Sequence, residues 1–167
     1  FLLCLLMLIS FHLFSETNEY QLGPGDEIEI LVYQEPELRT LSKLSQSGRI
    51  DLPLIGQIKL EGLTVTEAKL VIEQAYRQGY LVQPNVTITV RAYRPFFIHG
   101  EVNSPGSYKY QAEINIEQAI ALAGGLKDRA SSTNWVVWRG YPRESFVAIK
   151  ETKIMPGDVI KIEKSFF

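Results

Sequence analysis

The sequence predicts an α+β protein built from two small units. Short segments of alternating apolar and polar residues, typical of half-buried strands, are separated by glycine and proline turns. Two other stretches repeat apolar residues at the spacing of one helix face, and a helix-capping residue precedes each of them. The chain has 167 residues, which is enough for one medium domain or two small ones.

The first unit opens with a turn at 23–26 and a strand at 27–33. The turn contains a proline, which fixes φ, and a glycine, which supplies the permissive position. Alternation places the isoleucines of the strand on one face, so Glu27 and Glu29 are expected to face solvent on the other. Three further strands are predicted in this unit: 48–56, 57–60 and 85–91.

A capping box predicts where the first helix begins. Thr64 and Glu67 have the spacing at which the hydroxyl and the carboxylate satisfy backbone amides at a helix N-terminus. Gly79 is expected to end the helix as its C-terminal cap. The apolar face of the helix is predicted to contain four residues: Ala68, Val71, Ile72 and Ala75.

The second unit is predicted to begin near Phe96, after a boundary around 93–95. A strand at 96–102 is reversed by a turn at 103–106 into a strand at 107–110. Later strands are predicted at 135–139, 145–149 and 159–162. Strands around one short helix indicate a compact α+β unit.

The helix of the second unit has a predicted start and stop of its own. Asn115 caps it, with Gln118 at the third position, and Gly124-Gly125 ends it. We interpret the two glycines as a helix stop rather than as a phosphate-binding loop. The apolar stripe is predicted to contain Ile116, Ala119, Ile120 and Ala123.

One short motif occurs twice. The residues at 24–30, Pro-Gly-Asp followed by an alternating strand, recur at 156–162. In both copies the aspartate is placed where its carboxylate can cap the amides of its own turn. Two unrelated turns could converge on this pattern, so the motif alone assigns no function.

Composition excludes several classes of protein. The net charge is −2 and the basic residues are scattered, so no nucleic-acid partner is expected. Cys4 is the only cysteine, so the chain can form no internal disulfide and no zinc site made of cysteines. With only His12 and His99 besides, the sequence predicts no metal site and no cofactor.

The first fourteen residues are almost purely apolar. This length fits the core of a secretory signal peptide at 1–15 and is short for a membrane span. A retained membrane anchor and an amphipathic helix are the alternatives. The segment has no initial Met and no basic flank, which predicts that the true N-terminus has been lost. Leu3 precedes Cys4 where lipoproteins have a small residue, so acylation of Cys4 is not expected.

The sequence predicts no catalytic residues. The acidic pairs Glu27/Glu29 and Glu35/Glu37 lie at alternate positions and are expected on solvated faces, and His99 has no metal-ligating neighbour in sequence. A Gly-x-Ser-x-Gly nucleophile motif is absent from the sequence.

Aromatic residues crowd the second unit and have two interpretations. Their faces could stack on sugar rings, or they could fill a small core, which we favour for Phe96, Trp135 and Trp138. The candidate contacts for a saccharide or a subunit interface are Tyr108, Tyr110, Arg139 and Tyr141.

Several motifs, in register along the chain, resemble the Wza-like outer-membrane polysaccharide export family. The segments at 20–26, 48–56 and 62–68 are similar to the opening, the "DGxIxLPLIG" stretch and the "GLTxxEA" helix start of its export domain. The segments at 100–108 and 119–126 resemble a soluble-ligand-binding β-grasp domain. The matching residues, taken as structural, are Gly23, Pro24, Gly25, Asp26, Gly48, Pro53, Gly56, Gly62, Thr64, Glu67, Gly100, Glu101, Pro105, Gly106, Gly124, Gly125, Pro156, Gly157 and Asp158.

The resemblance implies a small export domain at 19–93, with one main helix on short strands, and a β-grasp, ubiquitin-like domain at 94–163. It further implies a homo-oligomeric ring in the periplasm or at the outer membrane. Such a ring would export capsule or exopolysaccharide and would work with an inner-membrane polysaccharide co-polymerase. Long family members continue into a further β-grasp domain and a membrane helix, so this chain resembles the short members. Those would need another route, such as a separate outer-membrane barrel.

Three functional hypotheses are therefore compared. The first is a subunit of an export channel, and the second is a soluble saccharide-binding adaptor that docks to the co-polymerase without forming a channel. The third, an envelope hydrolase, lacks a catalytic constellation. Ring assembly distinguishes the first two, because only a channel requires a closed oligomer.

Overall fold

The computed structural model describes residues 19–140 and 142–165. The predicted signal segment at 1–15, including Cys4, and the candidate contact Tyr141 lie outside the described residues. Two hydrophobic cores are present, one built from residues between Leu22 and Val86 and the other from residues between Phe96 and Ile162.

The first unit packs one helix on a three-stranded antiparallel sheet of order β2-β1-β5. A separate hairpin, β3-β4, completes it. The strands are β1 Glu27–Val32, β2 Thr40–Lys43, β3 Arg49–Leu52, β4 Gly56–Lys59 and β5 Val86–Ala92, and the helix is α1 Val65–Arg77. A 3-10 turn at Pro36–Leu38 precedes β2. Strand β2 was not predicted, because its four residues lack a clear alternation of apolar and polar residues.

Helix α1 begins and ends as predicted, but its buried face differs from the prediction. The Thr64 side chain accepts a hydrogen bond from the Glu67 amide at 3.2 Å, and Glu67 accepts one from the Thr64 amide at 2.8 Å. Gly79 follows the helix with a φ of 103°. Val71, which was predicted to face the core, is exposed. Tyr76, which was not predicted on this face, is buried in the core instead. The inward face therefore follows i, i+4 and i+8 rather than i and i+3.

The second unit packs α2 (Ile116–Leu122) against one face of a five-stranded mixed sheet of order β7-β6-β10-β8-β9. Its central pair, β10 with β6, is parallel, and the remaining pairs are antiparallel. The strands are β6 Phe96–Gly100, β7 Gly106–Tyr108, β8 Ala130–Arg139, β9 Glu144–Ala148 and β10 Val159–Lys164. This is a β-grasp-like arrangement, and the predicted α+β class is confirmed.

The start of α2 matches the prediction as well. Asn115 and Gln118 form a reciprocal capping box, with side chain to amide distances of 2.9 and 3.0 Å. Phe96 and Trp135 are buried in the core, as expected. Trp138 lies on the opposite face of β8 and stacks on His99 with ring centroids 6.2 Å apart, so it is only half-buried.

The expectation that Glu29 faces solvent is wrong. Its side chain is 3% exposed, although it lies on the face of β1 opposite Ile28 and Ile30. Arg39 Nη2 approaches Glu29 Oε1 at 2.6 Å, and Arg91 pairs with the other carboxylate oxygen. The two arginines cover the carboxylate, and their hydrogen bonds hold the pKa of Glu29 below its ordinary value.

Neither of the two α-helices in the described ranges is long and apolar enough to cross a membrane; the longer, α1, has 13 residues.

Candidate functional site at the junction of the two units

The repeated Pro-Gly-Asp motif folds into two matching turns. In each, the aspartate amide donates to the carbonyl three residues earlier at 3.1 Å, from Asp26 to Gly23 and from Asp158 to Met155. The motif glycines, Gly25 and Gly157, have φ angles of 93° and 85°, as the third position of a type II turn requires. Each aspartate carboxylate accepts from the amide that opens its turn, at 2.7 and 2.8 Å. The predicted self-capping is therefore present in both copies.

Asp26 gathers donors from both sides of the junction. It is fully buried and accepts from the backbone amide of Arg94 and from Arg94 Nη1, both at 2.8 Å. The Tyr20 hydroxyl also donates to Asp26. Charge-assisted bonds of this kind are about twice as strong as neutral ones. The first turn is therefore tied to the linker between the units.

Arg94 lies between the two turns. An ideal Cβ built on Gly23 would lie 2.5 Å from Arg94 Nη1, and one built on Gly157 would lie 2.5 Å from Arg94 Nε. Such distances are steric clashes, so the space that side chains would occupy at both glycines is filled by one arginine. The next linker residue, Pro95, accepts a hydrogen bond from the Gly157 amide at 3.2 Å. The linker is thus bonded to the first turn at Arg94 and to the second at Pro95.

Asp158 holds a different arginine. Arg139, at the end of β8, donates to Asp158 from Nε at 2.9 Å and from Nη2 at 2.7 Å. Its Nη2 also donates to the Lys153 carbonyl at 2.7 Å, and its guanidinium lies 5.2 Å from the centre of the Phe146 ring. All of these partners belong to the second unit, so this pair braces the β-grasp unit internally.

A cavity of about 440 Å³ opens beside the junction. Three tyrosines line one side of it: Tyr93 meets Tyr20 edge-on at 5.0 Å and Tyr110 edge-on at 5.3 Å between ring centroids. The remaining lining residues come from the second unit: Ala112, Glu113, Arg139, Lys153, Met155 and Pro156. A concave surface with aromatic faces and a few polar groups is typical of small-ligand sites.

The surroundings of the cavity raise the pKa of two tyrosines and one lysine that line it. Burial, together with the hydrogen bond to Asp26, raises the pKa of Tyr20, so its hydroxyl remains a donor. Burial likewise raises the pKa of Tyr110. At the mouth, Glu113 pairs with Lys153 and raises the pKa of this lysine. The cavity therefore offers phenol hydroxyls and an ion pair, which can bind polar groups.

The structure brings together two of the predicted contact residues. Tyr110 and Arg139 line the cavity. Tyr108 is engaged elsewhere, because its ring stacks on Phe96 with centroids 5.9 Å apart and its hydroxyl donates to the Ser104 carbonyl. Tyr93 was among the aromatic residues that the sequence offered for stacking on sugar rings, whereas Tyr20 and Arg94 were not predicted as site residues. The doubled Pro-Gly-Asp motif was the available signal for the junction, although it does not identify the arginine that both turns contact.

Within 19–140 and 142–165, no cluster of three or more His, Cys, Asp or Glu side chains could hold a metal ion.

Comparison with known proteins agrees with this two-unit arrangement. Residues 15–91 match the model of the family described as polysaccharide biosynthesis/export protein. Residues 95–150 match the model of the SLBB domain. The two matches meet at the linker that contains Arg94. The chain belongs to the Wza-like polysaccharide export family. Its second unit is accordingly an SLBB domain, in which β10 supplies a central strand beyond the matched residues.

Named relatives of this family are similar to the chain at modest identity. The exopolysaccharide production protein ExoF of Rhizobium meliloti (strain 1021) is 28% identical over 68% of the chain and 30% of its own length. The EPS I polysaccharide export outer membrane protein EpsA of Ralstonia solanacearum is 27% identical over 90% of the chain and 49% of its own. The polysialic acid transport protein KpsD of Escherichia coli is 25% identical over 73% of the chain and 22% of its own length. The chain therefore spans about half or less of the length of these relatives.

Proposed function

We propose that this member of the polysaccharide export family is a non-enzymatic subunit of a conduit that carries capsule or exopolysaccharide through the cell envelope. The observation that carries the proposal is the succession of the two matched family models on two units joined by a buried ion pair, Arg94 with Asp26. The names of ExoF, EpsA and KpsD, which refer to production, export and transport of polysaccharide, support the same assignment.

The conduit is proposed to lie in the periplasm or at the periplasmic face of the outer membrane. A passive wall around a polymer is most simply made by identical subunits in a closed ring. An inner-membrane co-polymerase would then supply the polymer. The division into an export domain at 19–93 and a β-grasp domain at 94–163 belongs to this proposal, and the two separate hydrophobic cores support it.

The junction cavity is proposed as a weak saccharide contact. Tyr110 and Arg139, now joined by Tyr20 and Tyr93, offer ring faces and hydrogen-bond donors on one concave surface. Sugar rings present C–H faces to aromatic side chains and hydroxyls to charged groups, so the chemistry fits. A polymer that must move through a conduit requires contacts that release quickly.

A second candidate function is the saccharide-binding adaptor that docks to the co-polymerase without forming a channel. The cavity favours it, because about 440 Å³ suits a short saccharide bound by one subunit rather than a polymer passing through a ring.

Deletion of the gene in its bacterium tests export itself. We expect secreted polysaccharide to fall strongly and polymer to accumulate inside the envelope, with recovery when the wild-type gene is restored. The measurement is the amount of polymer in the medium and in the washed cell fraction. Unchanged secretion would overturn the proposed role in export.

Light scattering on the purified full chain, at several concentrations and in detergent, separates the two candidates. A conduit subunit is expected to give a stable assembly with many times the 19.0 kDa of one chain. A monomer at all concentrations would favour the adaptor.

A further inference from the structure

Two long sheet edges are open in the described part of the chain, one on each unit. Strand β5 (Val86–Ala92) pairs with β1 on one side, and no described strand lies on its other side. Strand β9 (Glu144–Ala148) pairs only with β8. The opposite edges of the two sheets are shorter: β7 has three residues and β2 has four, one of them a lysine.

Neither long edge has the features that normally prevent edge pairing. A proline or several charged residues usually protect such strands. Strand β9 has one charged residue, Glu144, and no proline, while Phe146 and Val147 are 37% and 70% exposed. Strand β5 also has no proline and one charged residue, Arg91, which is half-exposed.

Hydrogen bonds at the strand ends reveal which backbone groups point outward. The Val86 amide donates to Glu73 Oε1 instead of to β1. The neighbouring Asn85 carbonyl points the other way and accepts from the amide of Tyr33, the residue that follows β1. Because backbone direction alternates, Ile88 and Val90 also point away from β1. Both backbone groups of Ile149 bond to Thr152 rather than to β8. By the same alternation, Val147 and Ser145 point their amide and carbonyl groups outward from β9.

These directions match in the antiparallel registers that place Val147 or Ser145 opposite Ile88 or Val90. Placing Val147 of one copy opposite Ile88 of another also places Ser145 opposite Val90, so that outward groups meet outward groups. The same register sets Glu144 opposite Arg91, the single charges of the two edges, with opposite signs. Apolar Val147 then lies against apolar Ile88, a favourable cross-strand pair.

We propose that β9 of one copy pairs in an antiparallel manner with β5 of the next copy. Because the two edges belong to different units, the contact is head-to-tail, the type that closes into a ring when the rotation allows. The inference deepens the proposed ring by naming its interface. The occupant is a second copy of this chain, since the matching charge and register are both present on the one sequence.

Edge substitution is the first part of the test. Val147→Lys adds a charge to the edge strand β9, which opposes pairing with another strand. The Val147 side chain is mostly exposed, so the fold is retained. We expect the assembly to fall to the 19.0 kDa of the single chain. Val82→Lys, at a residue that is 88% exposed in a loop, is the matched control and is expected to leave the assembly intact.

Disulfide cross-linking in a Cys4→Ser background tests the register directly. Phe146→Cys and Thr89→Cys lie opposite each other in the proposed pairing, so a mixture of the two variants is expected to give cross-linked dimers. Phe146→Cys alone is expected to give none. Self-cross-linking of Phe146→Cys would overturn the proposal in favour of β9 pairing with itself.

Failure of the interface and failure of the proposed function can be told apart. A wild-type ring that survives Val147→Lys and yields no cross-link overturns this interface while leaving the conduit standing. A wild-type monomer overturns the interface as an intrinsic contact, and secretion by the deletion strain still tests export.

Discussion

The two Pro-Gly-Asp turns have the same local structure and hold arginines from different places. Asp26 and Asp158 are both buried, and each accepts the amide that opens its own turn. Asp26 binds Arg94, which comes from the linker, whereas Asp158 binds Arg139, which comes from the same sheet. One turn therefore joins the two units, and the other stabilises one unit.

The difference shows that a local motif fixes a turn but not its use. Each turn presents a buried carboxylate that requires a cation, because an unpaired buried charge is costly. The tertiary fold determines which arginine pairs with each carboxylate. Arg94 is 12% exposed and fills the space that a side chain would occupy at Gly23 and at Gly157. The junction of the two units therefore depends on both copies of the motif.

The largest expected effect comes from removing either aspartate. Asp26→Ala and Asp158→Ala each remove a buried carboxylate that bonds a partly buried arginine and the amide that opens its own turn. Each is expected to lower the free energy of unfolding by about 3–5 kcal/mol. Both tryptophans lie in β8, so tryptophan fluorescence follows the second unit, and circular dichroism of α1 follows mainly the first. Asp26→Ala is expected to shift the dichroism transition more, and Asp158→Ala the fluorescence transition. Equal shifts of both signals in both variants would make the two turns equivalent.

Tyr20→Phe tests the donor that only the first turn has. The change removes the hydroxyl that bonds Asp26 and keeps the ring that packs on Tyr93. A hydrogen bond to a charged group contributes about 1.5–3 kcal/mol, so denaturant unfolding is expected to show a loss of this size. A loss within experimental error would mean that Arg94 and the Gly23 amide satisfy Asp26 without the hydroxyl.

The motif glycines give a matched pair of smaller changes. Gly25→Ala and Gly157→Ala both place a side chain at a positive φ, which costs about 1–2 kcal/mol in each. Only at Gly157 does the new Cβ clash with the Arg94 guanidinium, at 2.5 Å, because at Gly25 the nearest atom is 3.5 Å away. Gly157→Ala is therefore expected to be the more destabilising by about 1 kcal/mol in denaturant unfolding. The reverse order would show that Arg94 has room to move.

The features that the sequence predicted correctly are those whose interacting residues lie close together along the chain. Thr64 with Glu67 and Asn115 with Gln118 are three residues apart, so both helix starts were predicted and confirmed. Both turns were likewise predicted from the motif. These features depend on backbone geometry within a few residues, which the sequence displays directly.

The contacts at the junction of the two units could not be predicted, because the residues that form them are distant in sequence. Arg94 is 68 residues from Asp26, and nothing in the linker sequence distinguishes it from the other arginines of the chain. The burial of Glu29 has the same cause, since Arg91 is 62 residues away. The candidate cavity combines residues from 20 to 156, so only Tyr110 and Arg139 of its lining were predicted as candidate contacts.

The smallest expected effect is a change in acid sensitivity. The hydrogen bonds from Arg39 and Arg91 lower the pKa of Glu29 in the folded chain, so its contribution is present above the unfolded pKa of about 4.3 and is lost as pH falls through the folded value. Glu29→Gln is therefore expected to lose less stability than wild type on acidification below about pH 5. Thermal unfolding across this range measures it, and identical pH profiles would contradict the account.

The central claim is that Arg94 holds the two units together at the junction, and a distance measurement tests it most directly. Spin labels at Gln74→Cys on α1 and Ala121→Cys on α2, both exposed sites, report the separation of the units in a Cys4→Ser background. Dilution with unlabelled protein suppresses distances between copies. Wild type is expected to give one narrow distance by pulsed electron resonance, and so is Arg91→Ala, whose arginine lies within the first unit. Arg94→Ala is expected to broaden it severalfold. A distribution that stays as narrow in Arg94→Ala as in wild type would contradict the claim that this arginine holds the two units together.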